Sequence, residues 1–287
     1  MNDWPCFVLS HSIMNITLVP NAGLCNRLNC IASAVTYRRQ HPDSTIRVFW
    51  HNSRDCRSRF SDLFESELGD GSLHIEELPS SRWLDIPASR HNLFLPQLTR
   101  RVYYDFQFTD QYNADDFEKT VQGFNKVYVC HCNRFWEDAS PIHTMSDLFI
   151  PVKGIRESIN MICNSFDNRK CIIGLHIRRT DNLQAIFHSP IEQFERIIEQ
   201  KLETDSGTLF YLATDDLSVK KHLTEVYGNS VISPDFTLNR SSLDGMKDAV
   251  TDLFCLAKTN KIYGSFASTY SSFASQIYGV PLEICEL

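Results

Sequence analysis

The chain has 287 residues, with 28 Lys and Arg against 35 Asp and Glu and a formal net charge of −7 at pH 7. A composition of 43% hydrophobic and 22% charged residues is that of a globular protein, which excludes collagen, a coiled coil and a disordered tail protein. The acidic balance gives no reason to expect nucleic-acid binding, so any anion site is local.

Met1 to Pro20 mixes Asp3, Pro5, His11 and Asn15 among its apolar residues, unlike the basic and then apolar regions of a signal peptide. Met14 precedes a strand-like run, so residues 1–13 read as an extension. No stretch approaches the ~18 apolar residues of a membrane span. Most of the ten cysteines, Cys30, Cys171 and Cys255 among them, sit in apolar runs as small hydrophobes. A chain this long needs no disulfide framework, so the expected setting is reducing and cytoplasmic. Cys130-His131-Cys132 resembles a metal-ligand cluster. It lacks a second pair, and alternate strand residues face opposite ways, so no metal is expected.

Ile13–Val19 reads as a strand, followed by the turn Pro20-Asn21-Ala22-Gly23. Leu24, Leu28, Ile31, Ala32 and Val35 then follow helical spacing, with Arg38 and Arg39 at the end that favours positive charge. Thr45–Trp50 and Lys126–Cys132 read as further strands, while residues 52–125 show no clear pattern. A helical stripe runs from Val152 to Phe166, and Cys171–Ile177 is a nearly continuous apolar strand, as expected where both sheet faces are covered. Helix Pro190–Leu202, strand Thr208–Ala213, helix Leu217–Tyr227 and strand Ser230–Ser233 follow. Helix Ser242–Lys258, strand Lys261–Tyr263 and helix Tyr270–Tyr278 complete the alternation. It implies parallel βαβ units in two Rossmann-like domains, residues 1–150 and 151–287, with ligands beyond the carboxyl ends of the strands.

Four segments carry candidate chemistry. His176-Ile177-Arg178-Arg179-Thr180-Asp181 follows the buried strand, where guanidiniums suit a bidentate grip on phosphate oxygens. The alternative for Arg178 and Arg179 is a structural ion pair with Asp181 or Asp215. Thr214-Asp215-Asp216 closes a strand; its residues are either ligand contacts or helix caps. Gly264-Ser265 and Ser268, between strand and helix, suit the approach of backbone N–H groups to a diphosphate. Upstream, Asp252 flanks an apolar helical stripe, as a solvated residue or as an acceptor for a base ring. Gly23, Asn26 and Arg27 offer donors in a first helical turn, or surface polarity. No G-x-G-x-x-G, P-loop, G-x-S-x-G or H-E-x-x-H motif occurs, so classical dinucleotide, P-loop and hydrolase sites have no support.

His-Ile-Arg-Arg-Thr-Asp at 176–181, Leu-Ala-Thr-Asp-Asp at 212–216 and Gly-Ser-Phe-Ala-Ser at 264–268 resemble, in that order, the three motifs of the α1,6-/O-/α1,2-fucosyltransferase superfamily. The match is nearest to the core α1,6- and nodulation enzymes. Gly23-Leu-Cys-Asn-Arg-Leu28 is similar to the superfamily's N-terminal loop. The resemblance covers roughly residues 14–40 and 150–285. It implies an α/β GT-B fold and an inverting, metal-independent transferase without a cofactor, moving fucose from GDP-fucose to a glycan or glycolipid hydroxyl.

By position, the resemblance puts Arg178 on the donor's β-phosphate with Arg179 in support. It places His176 and Asp252 at guanine, Ser268 near the diphosphate, and Thr214, Asp215 and Asp216 along the pocket. A bacterial surface-glycan or glycolipid enzyme, soluble or peripheral to the inner membrane face, is expected. The rivals are another nucleotide-sugar donor and a non-catalytic nucleotide-sugar or glycan-binding protein. The core enzymes carry a glutamate soon after the first motif as a candidate base; here Asn182 to His188 contains no carboxylate. Asp181 ranks first as the base, ahead of His188 and Glu192, with a group from the N-terminal half also open.

Overall fold

The structure is a computed structural model that describes residues 13–65, 68, 73–78, 95–136, 145–166 and 171–287. Residues 1–12, most of the expected extension, lie outside the described residues. Five parallel strands form the first sheet: β1 (Asn15–Pro20), β2 (Thr45–His51), β3 (Ile75–Leu78), β4 (Phe106–Thr109) and β5 (Lys126–His131), in the order β3-β2-β1-β5-β4. The second is equally parallel: β6 (Ile172–Ile177), β7 (Leu209–Thr214), β8 (Val231–Ile232), β9 (Lys261–Ser265) and β10 (Leu282–Cys285), in the order β10-β9-β6-β7-β8. In each sheet the first strand is central and the chain leaves it in both directions. The loops beyond its carboxyl end therefore part and leave a crevice.

The first half carries helices α1 (Leu24–Gln40), α2 (Gln97–Tyr103) and α3 (Phe117–Val121). The connection between the sheets carries α4 (Met145–Leu148) and α5 (Lys153–Cys163). The second half carries α6 (Leu183–His188), α7 (Ile191–Thr204), α8 (Leu217–Tyr227), α9 (Leu243–Leu256) and α10 (Thr269–Tyr278). All six residues of β6 and all six of β7 are buried, because helices cover both faces of that sheet. Alternation along them splits the core. Leu209, Tyr211 and Ala213 face the first half, while Phe210 and Leu212 face α7 and α8. His176 and Gly174 share a β6 side with Ile172, which joins the core toward the first half.

Helix α1 is buried on nearly every side because it packs on the first sheet and also against α10. One apolar cluster consequently runs from Ile16 and Leu28 through Phe149 to Phe254 and Phe273, joining the two sheets. The edge strands β3, β4 and β10 go beyond the strands read from sequence. They are four residues each, too short for alternation to show.

Gly174 sets the distance between β6 and α9. A Cβ there would lie 2.6 Å from Leu256 Cδ1 and 2.8 Å from Thr259 Oγ1, so only glycine lets the end of α9 lie this close. Asp252 is one turn back along the same helix. Gly174→Ala is expected to push α9 outward and lower stability by about 1–3 kcal/mol, read as a lower midpoint in urea unfolding.

Candidate active site

A cleft of about 640 Å³ opens at the carboxyl end of β6, between the two halves. Its walls include Gly23 and Asn26 from the start of α1, and Ser268, Thr269 and Tyr270 from the start of α10. Neither helix has a side-chain cap at its N-cap residue, so first-turn N–H groups face the cleft with the positive end of each dipole. The turn before each helix contains a non-glycine residue in the left-handed region, Ala22 at φ 66° and Ala267 at φ 50°. Side chains hold both turns: Arg27 donates to the Ala22 carbonyl at 2.8 Å, and Asn182 to the Ala267 carbonyl at 3.4 Å. Across the floor, Thr269 donates to Asn26 Oδ1 at 2.7 Å and ties the halves together.

Arg178 reaches this cleft and Arg179 does not. The Arg178 guanidinium donates to Asp181 and, at 2.6 Å, is paired with Asp215. Its backbone N–H donates to Ser265 Oγ at 2.9 Å. Arg179 turns back into the protein and donates to the carbonyls of Arg178 and Ser189 at 2.9 and 2.8 Å. It pins the loop without lining the cleft, so it is not the direct ligand contact expected from sequence, and any support it gives Arg178 comes through the backbone. Desolvation pulls its guanidinium below the usual range, with Asp215 opposing.

The expected motif Thr214-Asp215-Asp216 divides three ways. Thr214 lines the cleft while its hydroxyl donates to the Ile177 carbonyl at 2.8 Å. Asp215 accepts from the Arg179 N–H at 2.8 Å and the Thr180 hydroxyl at 2.6 Å, besides pairing with Arg178. Asp216 lies outside the cleft as the cap of α8, accepting from the Ser218 and Val219 N–H groups. Ser218 holds its carboxyl below the usual carboxylate range.

Three further residues are corrected. Gly264 and Ser265 lie beneath the cleft: a Cβ on Gly264 would come within 2.6 Å of Ser271 Oγ, and Ser265 bridges Arg178 N–H to the His176 carbonyl. Arg27 is fully buried, donating to the Ala22 and His51 carbonyls and to Ser53 Oγ, with its guanidinium 5.0 Å from the Trp50 ring centre. It braces the β1–α1 turn against β2 and offers nothing to a ligand.

Asp181 lines the cleft, clamped between two guanidiniums, Arg178 on Oδ1 and Arg240 on Oδ2 at 2.7 Å. Partial burial would raise its pKa, yet Arg178 and Arg240 outweigh it and hold the carboxyl below the usual range. A carboxylate so held is a weak base, which argues against its expected role in deprotonating an acceptor. His188 and Glu192 do not line the cleft. Arg240, in the segment before α9, has no sequence signal; it follows no strand pattern and belongs to no motif.

The inner end of the cleft is aromatic. The His176 ring stacks on Tyr270 with centroids 4.9 Å apart, and its buried Nδ1 has no hydrogen-bond partner. Burial, then Arg178, pull its pKa down to about 3, so the imidazole is neutral. Asp252 accepts from the Tyr211 hydroxyl at 2.6 Å and the Tyr270 hydroxyl at 3.3 Å. Burial pushes its carboxyl up to about 7 against those two hydrogen bonds. The expected metal-like cluster lies elsewhere, on β5 and just beyond it. Cys130 is buried, and the His131 ring nitrogens lie 2.9 and 3.3 Å from the Asn133 and Tyr112 carbonyls. Among the described residues, no group of His, Cys, Asp or Glu could hold a metal ion.

No family model matches the chain, and no curated protein matches it by sequence. Its fold is nonetheless that of GT-B fucosyltransferases of known structure. NodZ α1,6-fucosyltransferase co-crystallised with GDP superposes with a TM-score of 0.64 at 17% identity, covering 94% of each chain. A mutant of Arabidopsis thaliana FUT1 in complex with GDP gives 0.62 at 17% identity, covering 95% of this chain and 70% of the other. POFUT1 in complex with GDP-fucose gives 0.52 at 9% identity, covering 96% and 99%. These likenesses establish the two-sheet GT-B fold expected from sequence.

Arg27→Met removes the guanidinium that braces the β1–α1 turn against β2, and with it the donors to the Ala22 and His51 carbonyls. The expected loss is about 3 kcal/mol of stability, seen as a lower urea midpoint with an unchanged slope.

Proposed function

We propose that this protein is an inverting glycosyltransferase of the fucosyltransferase superfamily that takes fucose from GDP-fucose. The observation that carries the reading is Arg178 at the carboxyl end of β6, facing a cleft walled by the first turns of α1 and α10. The fold neighbours bound to GDP or GDP-fucose supply the donor class. A glycan or glycolipid hydroxyl is the acceptor, in surface polysaccharide or glycolipid assembly. A cytoplasmic setting, with contact to the membrane only through the acceptor, belongs to the same proposal.

The chemistry follows from where charge develops. Breaking the bond between the sugar's anomeric carbon and the β-phosphate oxygen leaves negative charge on the diphosphate. A preorganised guanidinium there contributes a few kcal/mol, ~3 for one well-placed donor, because it needs no reorganisation in the transition state. Arg178 supplies that charge in this reading, with Arg240 beside it and the first-turn N–H groups of α10 behind. Arg178 is already aligned by Asp215, and Asp181 occupies the guanidinium faces a phosphate would take. Donor binding thus exchanges one anion for another.

The base belongs at the aromatic end. Guanine presents N1–H and an amino group that suit a carboxylate acceptor, and Asp252 is the carboxylate there. Neutral His176 offers Nδ1 and a stacked face beside Tyr270.

Titration calorimetry in EDTA is expected to show GDP binding and no UDP binding. Arg178→Ala should abolish GDP binding and turnover while thermal unfolding stays cooperative. Full activity in that variant would refute the phosphate assignment, and equal binding of UDP would favour the rival donor.

A pH dependence follows from Asp252. Its carboxyl titrates at about 7 in the free protein, and only the anion accepts from both guanine donors. GDP affinity is therefore expected to fall between pH 8 and pH 6, and Asp252→Asn to bind weakly with that fall much reduced.

A further inference from the structure

An acceptor hydroxyl is a poor nucleophile until a base takes its proton, and Asp181, the last residue of the first motif and the base that sequence favoured, is engaged elsewhere. Among the described residues, the carboxylates that line the cleft are Asp55, Asp181, Asp215, Asp248 and Asp252. Four are committed. Asp181 lies between Arg178 and Arg240, and Asp215 holds the loop after β6. Asp248 accepts from the Thr237 N–H at 2.7 Å, and Asp252 accepts from two tyrosines. Asp55 makes no hydrogen bond or ion pair among the described residues, and it is exposed to the cleft.

Asp55 also stands on the opposite wall. It comes from the first half, beyond the carboxyl end of β2, whereas the other four come from the second. Its position is built. Ser53 and Cys56 exchange backbone hydrogen bonds of 3.2 Å, making a tight turn with Arg54 and Asp55 at its tip. From below, buried Arg27 donates to Ser53 Oγ at 2.5 Å, and Cys56 is buried. Toward the other half, the Arg57 N–H, two residues after Asp55, donates to the Arg240 carbonyl at 3.3 Å. The turn is thus fixed to the segment whose guanidinium clamps Asp181.

We propose that Asp55 is the general base of the transfer reaction; the inference rests on the transferase reading above. With the nucleotide held by the second half, inversion requires attack from the face away from the diphosphate, a face that a carboxylate carried by the first half, as Asp55 is, can serve. The Asp55 carboxylate takes the acceptor's hydroxyl proton as that oxygen's lone pair forms the new bond to the anomeric carbon. The bond from that carbon to the β-phosphate oxygen breaks, and its electron pair leaves with GDP, whose charge Arg178 meets. Asp55 then returns the proton to water.

The test needs no natural acceptor. GDP release from GDP-fucose is measured with water as nucleophile and then with added sodium azide, an anion that needs no deprotonation. Asp55→Asn is expected to keep GDP affinity, to lose ~10²-fold or more of the water reaction, and to regain turnover with azide as a glycosyl azide forms. Water turnover at the wild-type rate in Asp55→Asn overturns the assignment. So does azide rescue confined to Asp181→Asn, which would return the base to that residue. Wild type that binds no GDP overturns the transferase reading itself. Wild type that binds GDP but releases none from GDP-fucose with either nucleophile leaves a binding protein, and the base falls with the enzyme.

Discussion

The carboxylate of Asp215 organises the cleft. It takes the Arg179 and Thr180 backbone N–H groups, the Thr180 hydroxyl and one nitrogen of Arg178. A strand as apolar as β6 would otherwise end in backbone groups without partners and a guanidinium with no counter-charge. Because Asp215 sits at the end of the neighbouring strand β7, in register with β6, the pairing of the two strands fixes where Arg178 points. The sheet supplies the precision and the carboxylate transmits it to the side chain.

The arginines divide by what surrounds them. Arg27 and Arg179 are buried and spend their donors on carbonyls and a hydroxyl, so each stiffens a turn beside the cleft. Arg178 and Arg240 keep partly open faces and share Asp181 between them. Residues one position apart thus do opposite work. Alternation at the end of a strand sends Arg178 toward α1 and α10 and Arg179 under α6 and α7.

Much of this was legible in sequence. The apolar runs of β6 and β7, the stripes of α7 to α9 and the strand–helix turns locate the second sheet and its cleft. The edge strands β3, β4 and β10 were not legible, since four residues with mixed burial carry no period. Arg27 misleads because a polar residue in a first helical turn ordinarily faces solvent, whereas α1 is enclosed by the first sheet and α10, and Arg27 turns toward the end of β2. Thr214-Asp215-Asp216 is ambiguous for a physical reason: one residue bonds a backbone carbonyl, one holds a loop and one caps a helix, all using side-chain oxygens. Arg240 and Asp55 lie in turns without pattern, and only the fold brings those segments together.

The two ends of the cleft differ in how much is already paired. At the phosphate end, Arg178 and Arg240 are neutralised by Asp181 and Asp215, so an incoming diphosphate replaces an existing partner and gains only the difference. At the aromatic end, His176 Nδ1 is buried without a partner, and burial outweighs the two tyrosine hydrogen bonds that Asp252 accepts. A ligand group that meets those atoms removes a standing desolvation cost, and a ligand lacking it leaves the cost in place. In the proposed transferase, discrimination between nucleotides would therefore fall chiefly to His176, Tyr270 and Asp252, and the arginines, common to any diphosphate, would serve the bond-breaking step.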